Sequence, residues 1–125
     1  MRHLAMVVVF GLVAAGVAYA AQGQAQGQGQ GAINGYLIDL RCAAQHAGEP
    51  GFAAKHNKEC LLMDKCVKSG YGVLTADNKL IKFDNKGNRE ALKLIKATDK
   101  DMDWKVTVTG KVTGDRIAVA SIALQ

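Results

Sequence analysis

The residues best suited to chemistry in this sequence are three cysteines and two histidines, all between residues 42 and 66. They are Cys42, His56, Cys60 and Cys66, which form the preferred ligand set, and His46, which is an alternative imidazole. Imidazoles and thiolates together suit Zn²⁺, whereas thiolates with a thioether suit Cu⁺. The first hypothesis for this cluster is therefore a transition-metal site, with zinc or copper as the ion.

The spacing of these residues depends on the element that carries them. The run from Gly51 to Lys68 is rich in good helix formers and follows a turn-like segment, which predicts one inserted helix. On a continuous helix, His56, Cys60 and Met63 lie on one face, and Cys66 follows one turn later. The Cys-x₅-Cys and His-x₃-Cys spacings match no standard zinc module, so other roles for the cysteines stay open.

The first twenty residues predict export. A basic Arg2 precedes an apolar run from Leu4 to Ala18, and Ala18-Tyr19-Ala20 is a small-x-small cleavage signature. The apolar run is shorter than the ~20 residues needed to span a bilayer, which favours a cleaved signal peptide over a membrane anchor. Residues 1–20 are thus interpreted as a signal peptide, and the mature protein is expected to be periplasmic or secreted, with no membrane span.

The mature chain is expected to hold one small domain. Residues 21–32 consist almost wholly of Gln, Gly and Ala, which predicts a flexible leader, and residues 33–125 form the folded part. Removing Arg2 with the signal peptide leaves 15 basic residues against 11 acidic ones, so the net charge falls from +5 to +4. The lysines are scattered along the domain, which is typical of a solvated surface.

Export also favours a disulfide, because nearby thiols oxidise outside the cytoplasm. Cys60 and Cys66 are about 9 Å apart along an unbroken helix, beyond the ~7 Å limit for bridged Cα atoms, so they pair only if the helix ends between them. Cys42 with Cys60 or Cys66 would join the inserted helix to the first strand and add about 2 to 4 kcal/mol. A structural disulfide is favoured over a metal site as the main role of the cysteines, although the two do not exclude each other.

The remaining patterns predict a small α+β fold that is mainly β. Strands are expected at residues 33–40, 71–75, 79–83, 104–112 and 115–124, with a second helix around residues 91–95. Five strands with a helix between the third and fourth are the element order of an OB-fold, a five-stranded barrel, with the first helix as an insertion after strand 1. Asp39, at the end of the first strand, is interpreted as a cap for the following turn.

The run Gly35-Tyr36-Leu37-Ile38-Asp39, followed by the cysteines and histidines above, resembles a group of small exported bacterial domains. Their pattern is Gly-aromatic-aliphatic-x-Asp-x-x-Cys, a nearby His, and a Cys pair near the end of a helix. The resemblance covers nearly all of residues 33–125 and implies an OB-like fold and an exported setting, but no activity. Cys60 and Cys66 are further apart than the corresponding pair in many members.

These patterns indicate a binding module rather than an enzyme. No sequence motif supplies a base or an oxyanion hole for a cysteine nucleophile. The few aromatic residues of the mature chain offer little stacking surface for nucleic acid: Tyr36, Phe52, Tyr71, Phe83 and Trp104. The leading interpretation is an exported, non-enzymatic binding module whose Cys/His cluster is disulfide-stapled, binds a transition metal (Zn or Cu), or does both. The alternative is a disulfide-stapled structural or envelope-interaction domain without metal, whose partner is a cell-envelope component.

Overall fold

A computed structural model describes residues 30–125. The signal peptide predicted over residues 1–20 and most of the leader predicted over residues 21–32 lie outside these residues. The strands are β1 (Gln30–Asp39), β2 (Tyr71–Leu74), β3 (Leu80–Phe83), β4 (Lys105–Thr113) and β5 (Arg116–Leu124). The helices are α1 (Leu40–His46), α2 (Phe52–Lys55), α3 (Lys58–Leu62), α4 (Asp64–Ser69) and α5 (Asn85–Ala97). Within residues 30–125, no helix is both long enough and apolar enough to cross a membrane.

The five strands form a closed barrel in the order β1-β2-β3-β5-β4. Neighbouring strands are antiparallel except β3 and β5, which are parallel where Phe83 pairs with Ile117. Helix α5 connects β3 to β4, and helices α1 to α4 form the insertion between β1 and β2. The predicted small OB-like α+β barrel is therefore confirmed, including the helix between the third and fourth strands.

The barrel interior is filled by the apolar residues of alternating strand positions and by one face of α5. Its largest fully buried side chain is Trp104, just before β4, whose indole Nε1 donates a hydrogen bond of 2.9 Å to the carbonyl oxygen of Asp101. A second, smaller cluster joins β1 and β2 to the insertion and consists of Ile38, Ala43, Ala53 and Leu74. Leu37 therefore faces the barrel interior while its neighbour Ile38 faces the insertion.

Strand β1 begins earlier than expected. The composition predicts that its first three residues, 30–32, belong to the leader, but they pair with residues 109–111 of β4. These residues have little apolar surface to bury, and all three are exposed. Their place in the sheet comes from backbone hydrogen bonding to β4, which hydrophobic patterning does not reveal.

The helical insertion is confirmed, but its predicted continuity from Gly51 to Lys68 is wrong. His56 is extended, and Asn57 then caps α3 by accepting a 2.8 Å hydrogen bond from the backbone N–H of Cys60. The helix is interrupted again at Met63, whose ψ of 136° is far from the helical value. At this second break the Tyr71 hydroxyl donates a 2.6 Å hydrogen bond to the carbonyl oxygen of Leu61. That oxygen would accept from Lys65 in a continuous helix.

The two breaks remove the predicted ligand face. His56 lies in the extended linker between α2 and α3 and is buried, whereas Met63 is 51% exposed. Cys60 remains on α3 and is half-buried. The expectation that His56, Cys60 and Met63 line one helical face is therefore wrong, because Asn57 and Met63 interrupt the helix on which it depended.

Candidate functional site

Asp39 belongs to a cluster of ionisable side chains with His56, Cys42 and Cys66. It is fully buried, although it is an acidic residue at the end of a strand. Its extended backbone makes it the N-cap of α1, and its Oδ1 accepts a 2.8 Å hydrogen bond from the backbone N–H of Cys42. This is a capping interaction, as expected for an aspartate that precedes a helix.

The second carboxylate oxygen of Asp39 is paired with His56. The His56 Nε2 atom lies 2.7 Å from Asp39 Oδ2, and the two side chains are only 2% and 0% exposed. The ring of Phe52 packs against His56 with a centroid separation of 5.3 Å, and against His46 with a separation of 4.8 Å. Phe52 thus separates the buried histidine from the outer, partly exposed one.

Two thiols lie beside the same carboxylate. Three donor atoms lie within 4.8 Å of one another: the sulfur of Cys42, the sulfur of Cys66 and one carboxylate oxygen of Asp39. Cys42 is half-buried on α1, and Cys66 is buried on α4. None of the three cysteines of the chain is in a disulfide, so the disulfide expected from the sequence is not formed in this structure.

Backbone contacts hold the two cysteine-bearing helices together. The backbone N–H of Leu40, at the start of α1, donates a 2.9 Å hydrogen bond to the carbonyl oxygen of Gly70 just after α4. The next N–H, of Arg41, donates to the Ser69 hydroxyl at 3.2 Å. The first turn of α1 and the last turn of α4 are therefore fixed to each other, which places the two thiols on facing elements.

Burial and hydrogen bonding set the protonation of this cluster. Burial alone raises the pKa of the Asp39 carboxyl, but hydrogen bonds from His56, from the Cys42 backbone and from the Cys66 thiol outweigh it, so its pKa is lowered. Burial and the nearby Asp39 charge raise the pKa of Cys42 to about 12. Burial and the contact with Asp39 also raise the pKa of Cys66. An ionised carboxylate therefore stands beside two protonated thiols at neutral pH.

The structure brings together some of the five residues proposed as ligands and not others. The donor atoms of Cys42 and Cys66 lie close together, and His56 is hydrogen-bonded to Asp39, which lies beside both thiols. Among residues 30–125, Cys60 is not a member of the compact donor group. His46 is also outside it, because its Nδ1 lies 2.8 Å from Glu49 Oε1 on the surface. The cluster therefore combines two of the predicted thiols with a carboxylate.

Asp39 is the member that the sequence interpretation missed as a donor. Its predicted role as a cap is confirmed, but a cap uses only one of the two carboxylate oxygens. The available signal was position: Asp39 ends a strand three residues before Cys42, so any cap that it makes places its carboxylate beside that cysteine. Nothing local predicts that Cys66 and His56 arrive at the same point, because the turns of the insertion bring them there.

Two sulfur donors and one oxygen donor form a site that can hold a transition-metal ion. The carboxylate provides a negative charge in a buried position, and a cation would stabilise the thiolate forms of the two cysteines. No protein-family model, no curated protein and no solved structure matches this chain, so the resemblance to exported bacterial domains stays a prediction.

Proposed function

We propose that this protein is an exported, non-enzymatic binding module that holds a transition-metal ion, with Zn²⁺ as the best-fitting ion. The proposal is carried by one observation, the approach of the Asp39, Cys42 and Cys66 donor atoms to within 4.8 Å of one another. Zinc binds thiolate sulfur at about 2.3 Å and carboxylate oxygen at about 2.1 Å, so two ligands of one tetrahedral ion are roughly 3.5 to 3.8 Å apart. Small side-chain movements would bring the three donors to that separation.

The donor set favours zinc over copper. Two thiolates suit both Zn²⁺ and Cu⁺, but a carboxylate is a hard oxygen donor that Cu⁺ does not favour. In addition, a 2.7 Å hydrogen bond between His56 Nε2 and Asp39 Oδ2 orients the carboxylate. Paired carboxylate and histidine groups of this kind orient the ligands of metal sites and tune their affinity. Asp39 would thus be a ligand, and His56 would be its positioning residue.

Three protein ligands leave a fourth position of a tetrahedral ion for water or for a donor from a partner. Zinc enzymes also keep such a position, but they need a base or acid beside it. The nearby histidine, His56, has a side chain that is only 2% exposed, so its ring is not open to a substrate at that position. The raised pKa values of Cys42 and Cys66 are the opposite of what a cysteine nucleophile needs. Both features support a binding role rather than a catalytic one.

The exported setting rests on residues 1–20, with their basic start, apolar run and small-x-small end. Expression of the full chain in a bacterium tests it by N-terminal sequencing of the protein from the periplasmic fraction. The expected mature N-terminus is Ala21. A full-length chain that remains in the cytoplasmic fraction would contradict export without bearing on the metal site.

Cobalt spectroscopy tests the ligand set. Co²⁺ replaces Zn²⁺ in thiolate sites and gives thiolate-to-metal charge-transfer absorption whose intensity grows with the number of sulfur ligands. The reduced protein should bind Co²⁺ with a two-thiolate spectrum, and added Zn²⁺ should abolish that spectrum. Cys42→Ser and Cys66→Ser should each lose sulfur-to-cobalt intensity, whereas Cys60→Ser is the matched control and should keep it. An unchanged spectrum in both Cys42→Ser and Cys66→Ser would reject the site.

A second candidate is a disulfide-stapled structural or envelope-interaction domain that binds no metal. The proximity of the Cys42 and Cys66 sulfurs favours it, because the exported setting would oxidise a pair at that distance with little movement. Such a bridge would close a loop of roughly 25 residues and contribute about 3 kcal/mol. Failure of the reduced protein to bind Co²⁺ or Zn²⁺, together with a stable Cys42–Cys66 bridge in protein from the periplasm, would select this candidate.

A further inference from the structure

We infer that Cys42 and Cys66 form a reversible redox switch that controls the proposed metal site: the dithiol holds the ion and the disulfide releases it. This inference rests on the proposed function and adds the regulation of that site. It follows from the identity of the atoms, because the two sulfurs proposed as metal donors lie within 4.8 Å of each other and are themselves candidates for a disulfide. The sequence alone allowed a disulfide and a metal site to coexist, but this arrangement makes them alternatives.

The geometry permits both states. The sulfurs lie within 4.8 Å of each other, and a disulfide requires an S–S distance of about 2.05 Å. Helix α1 packs directly against α4, and the Leu40–Gly70 and Arg41–Ser69 hydrogen bonds keep their ends together. Closure therefore requires adjustment of two side chains on elements that are already joined, not a rearrangement of the barrel.

Metal binding and the disulfide exclude each other for a chemical reason. A zinc ion is bound by thiolates, which carry negative charge, whereas the sulfurs of a disulfide are neutral and weak donors. Oxidation would leave Asp39 as the remaining donor of the three. A single carboxylate, already hydrogen-bonded to His56 and to the Cys42 backbone, would not retain zinc.

The accessibility of the two thiols assigns an order to the oxidation by a disulfide reagent, RSSR. Cys42 is half-buried and Cys66 is buried, so Cys42 meets the reagent first. The raised pKa of Cys42 leaves little thiolate at neutral pH, so this first step is slow and differs from rapid catalytic turnover. After the Cys42 thiol loses its proton, the thiolate attacks one sulfur of RSSR, which forms Cys42–S–S–R and expels RS⁻. The Cys66 thiolate then attacks the Cys42 sulfur, which forms the Cys42–Cys66 bond and expels a second RS⁻. The two cysteine protons end on the two RSH products, and RSSR is reduced by two electrons.

Cys60 provides the matched control for this mechanism. It is half-buried on α3, yet it is not part of the compact donor group among residues 30–125. It is also a thiol of the same insertion. A negative charge on its sulfur would contribute to raising the pKa of Cys66. The Cys60→Ser variant keeps both cysteines of the switch, so it should switch as the wild type does. No disulfide other than Cys42–Cys66 can form within this chain.

The test equilibrates Cys60→Ser and wild-type protein in glutathione buffers of graded oxidation, with and without Zn²⁺. Intact mass after thiol alkylation measures the disulfide, peptide mapping identifies the bonded pair, and a colorimetric zinc indicator measures retained metal. We expect a Cys42–Cys66 bond, loss of zinc in step with its formation, and recovery of zinc binding after reduction. With free zinc at about 100 times its dissociation constant, half-oxidation of the protein should require an about 100-fold higher ratio of oxidised glutathione to the square of reduced glutathione.

The outcomes separate the two claims. If the reduced protein binds zinc but the oxidised protein binds it equally well, or if zinc does not shift the oxidation midpoint, the switch is rejected while the metal site stands. If peptide mapping of the wild type finds Cys60 in the bond, the assignment of the switch to Cys42 and Cys66 is also rejected. If the reduced protein binds no zinc, the proposed metal site fails, and its regulation fails with it.

Discussion

His56 Nε2 and Asp39 Oδ2 are 2.7 Å apart, and both side chains are almost completely removed from solvent. The two residues are 17 positions apart in the chain, one at the end of β1 and the other in the linker between α2 and α3. Their contact therefore fixes the path of the insertion relative to the barrel. It also orients the carboxylate beside the Cys42 and Cys66 thiols.

Removing His56 should destabilise the fold. In His56→Ala, the buried Asp39 loses a hydrogen-bond partner and Phe52 loses a packing partner. Because an unpaired buried charge is costly, we expect a loss of about 3 kcal/mol in the free energy of unfolding. Urea denaturation of the reduced, metal-free protein measures it as a lower midpoint with an unchanged slope.

His46→Ala is the matched control for that experiment. His46 also packs on Phe52, but its side chain is 41% exposed and its partner Glu49 is on the surface. Surface ion pairs contribute about 0 to 1 kcal/mol, so this variant should remain close to the wild type. Equal losses in the two histidine variants would show that the buried pair has no special energetic role.

Asp39 should make the fold sensitive to acid. Its pKa is lowered in the folded protein from an ordinary value of 3.8, so the folded state favours the ionised form. The associated stability is fully present above pH 3.8 and is lost as the pH falls through the lower, folded-state pKa. We expect the unfolding free energy of metal-free wild-type protein to fall as the pH drops below the ordinary Asp pKa of 3.8 and through the lower folded-state pKa, with a smaller fall in Asp39→Asn.

Asp115→Asn is the comparison for the acid experiment. The pKa of Asp115 is also lowered, by its hydrogen bond and ion pair with Lys82, but both side chains are largely exposed. Solvent screening makes such a pair weak, so this variant should follow the wild-type pH profile. A wild-type acid profile in Asp39→Asn would mean that Asp39 is not the group whose protonation weakens the fold.

Barrel closure should depend on Gly110. The register of β4 against β5 shifts between Thr109 and Gly110, and a Cβ at Gly110 would overlap the carbonyl oxygen of Ala118. Gly110→Ala should therefore cost about 2 kcal/mol through overpacking, measured by thermal or urea unfolding.

Gly31 pairs directly with Gly110 across β1 and β4. It provides the control because, among residues 30–125, no atom beyond its chain neighbours lies within 4 Å of a Cβ built there. Gly31→Ala should be neutral or slightly stabilising, since alanine restricts the unfolded chain. If Gly110→Ala is as stable as Gly31→Ala, the close approach at the bulge does not constrain the barrel.

The barrel was predictable because its strands carry local signals. Period-two alternation in β4 and β5 and the Thr113-Gly114-Asp115 turn identify the final hairpin, and the element order then indicates the OB-like fold. The four-helix insertion was not predictable to the same degree. Helix propensity favours a continuous helix through Met63, but the tertiary hydrogen bond from Tyr71 to Leu61 supports the break there.

The candidate site shows the same division between local and tertiary information. Residue types identified Cys42 and Cys66 as chemically important, and they do lie together. Helical spacing, however, also selected Cys60 and Met63, and that spacing loses its meaning once Asn57 and Met63 interrupt the helix. The position of Asp39 three residues before Cys42 was the local signal for its role as a donor, but its burial beside both thiols depends on the fold.

The most direct test of the central claim is the zinc content of the reduced protein by native mass spectrometry, compared between Cys42→Ser and Cys60→Ser. The Asp39–Cys42–Cys66 site predicts one zinc ion per chain in the wild type and in Cys60→Ser, and none in Cys42→Ser under the same conditions. Zinc retained by Cys42→Ser, or lost by Cys60→Ser alone, would contradict that site.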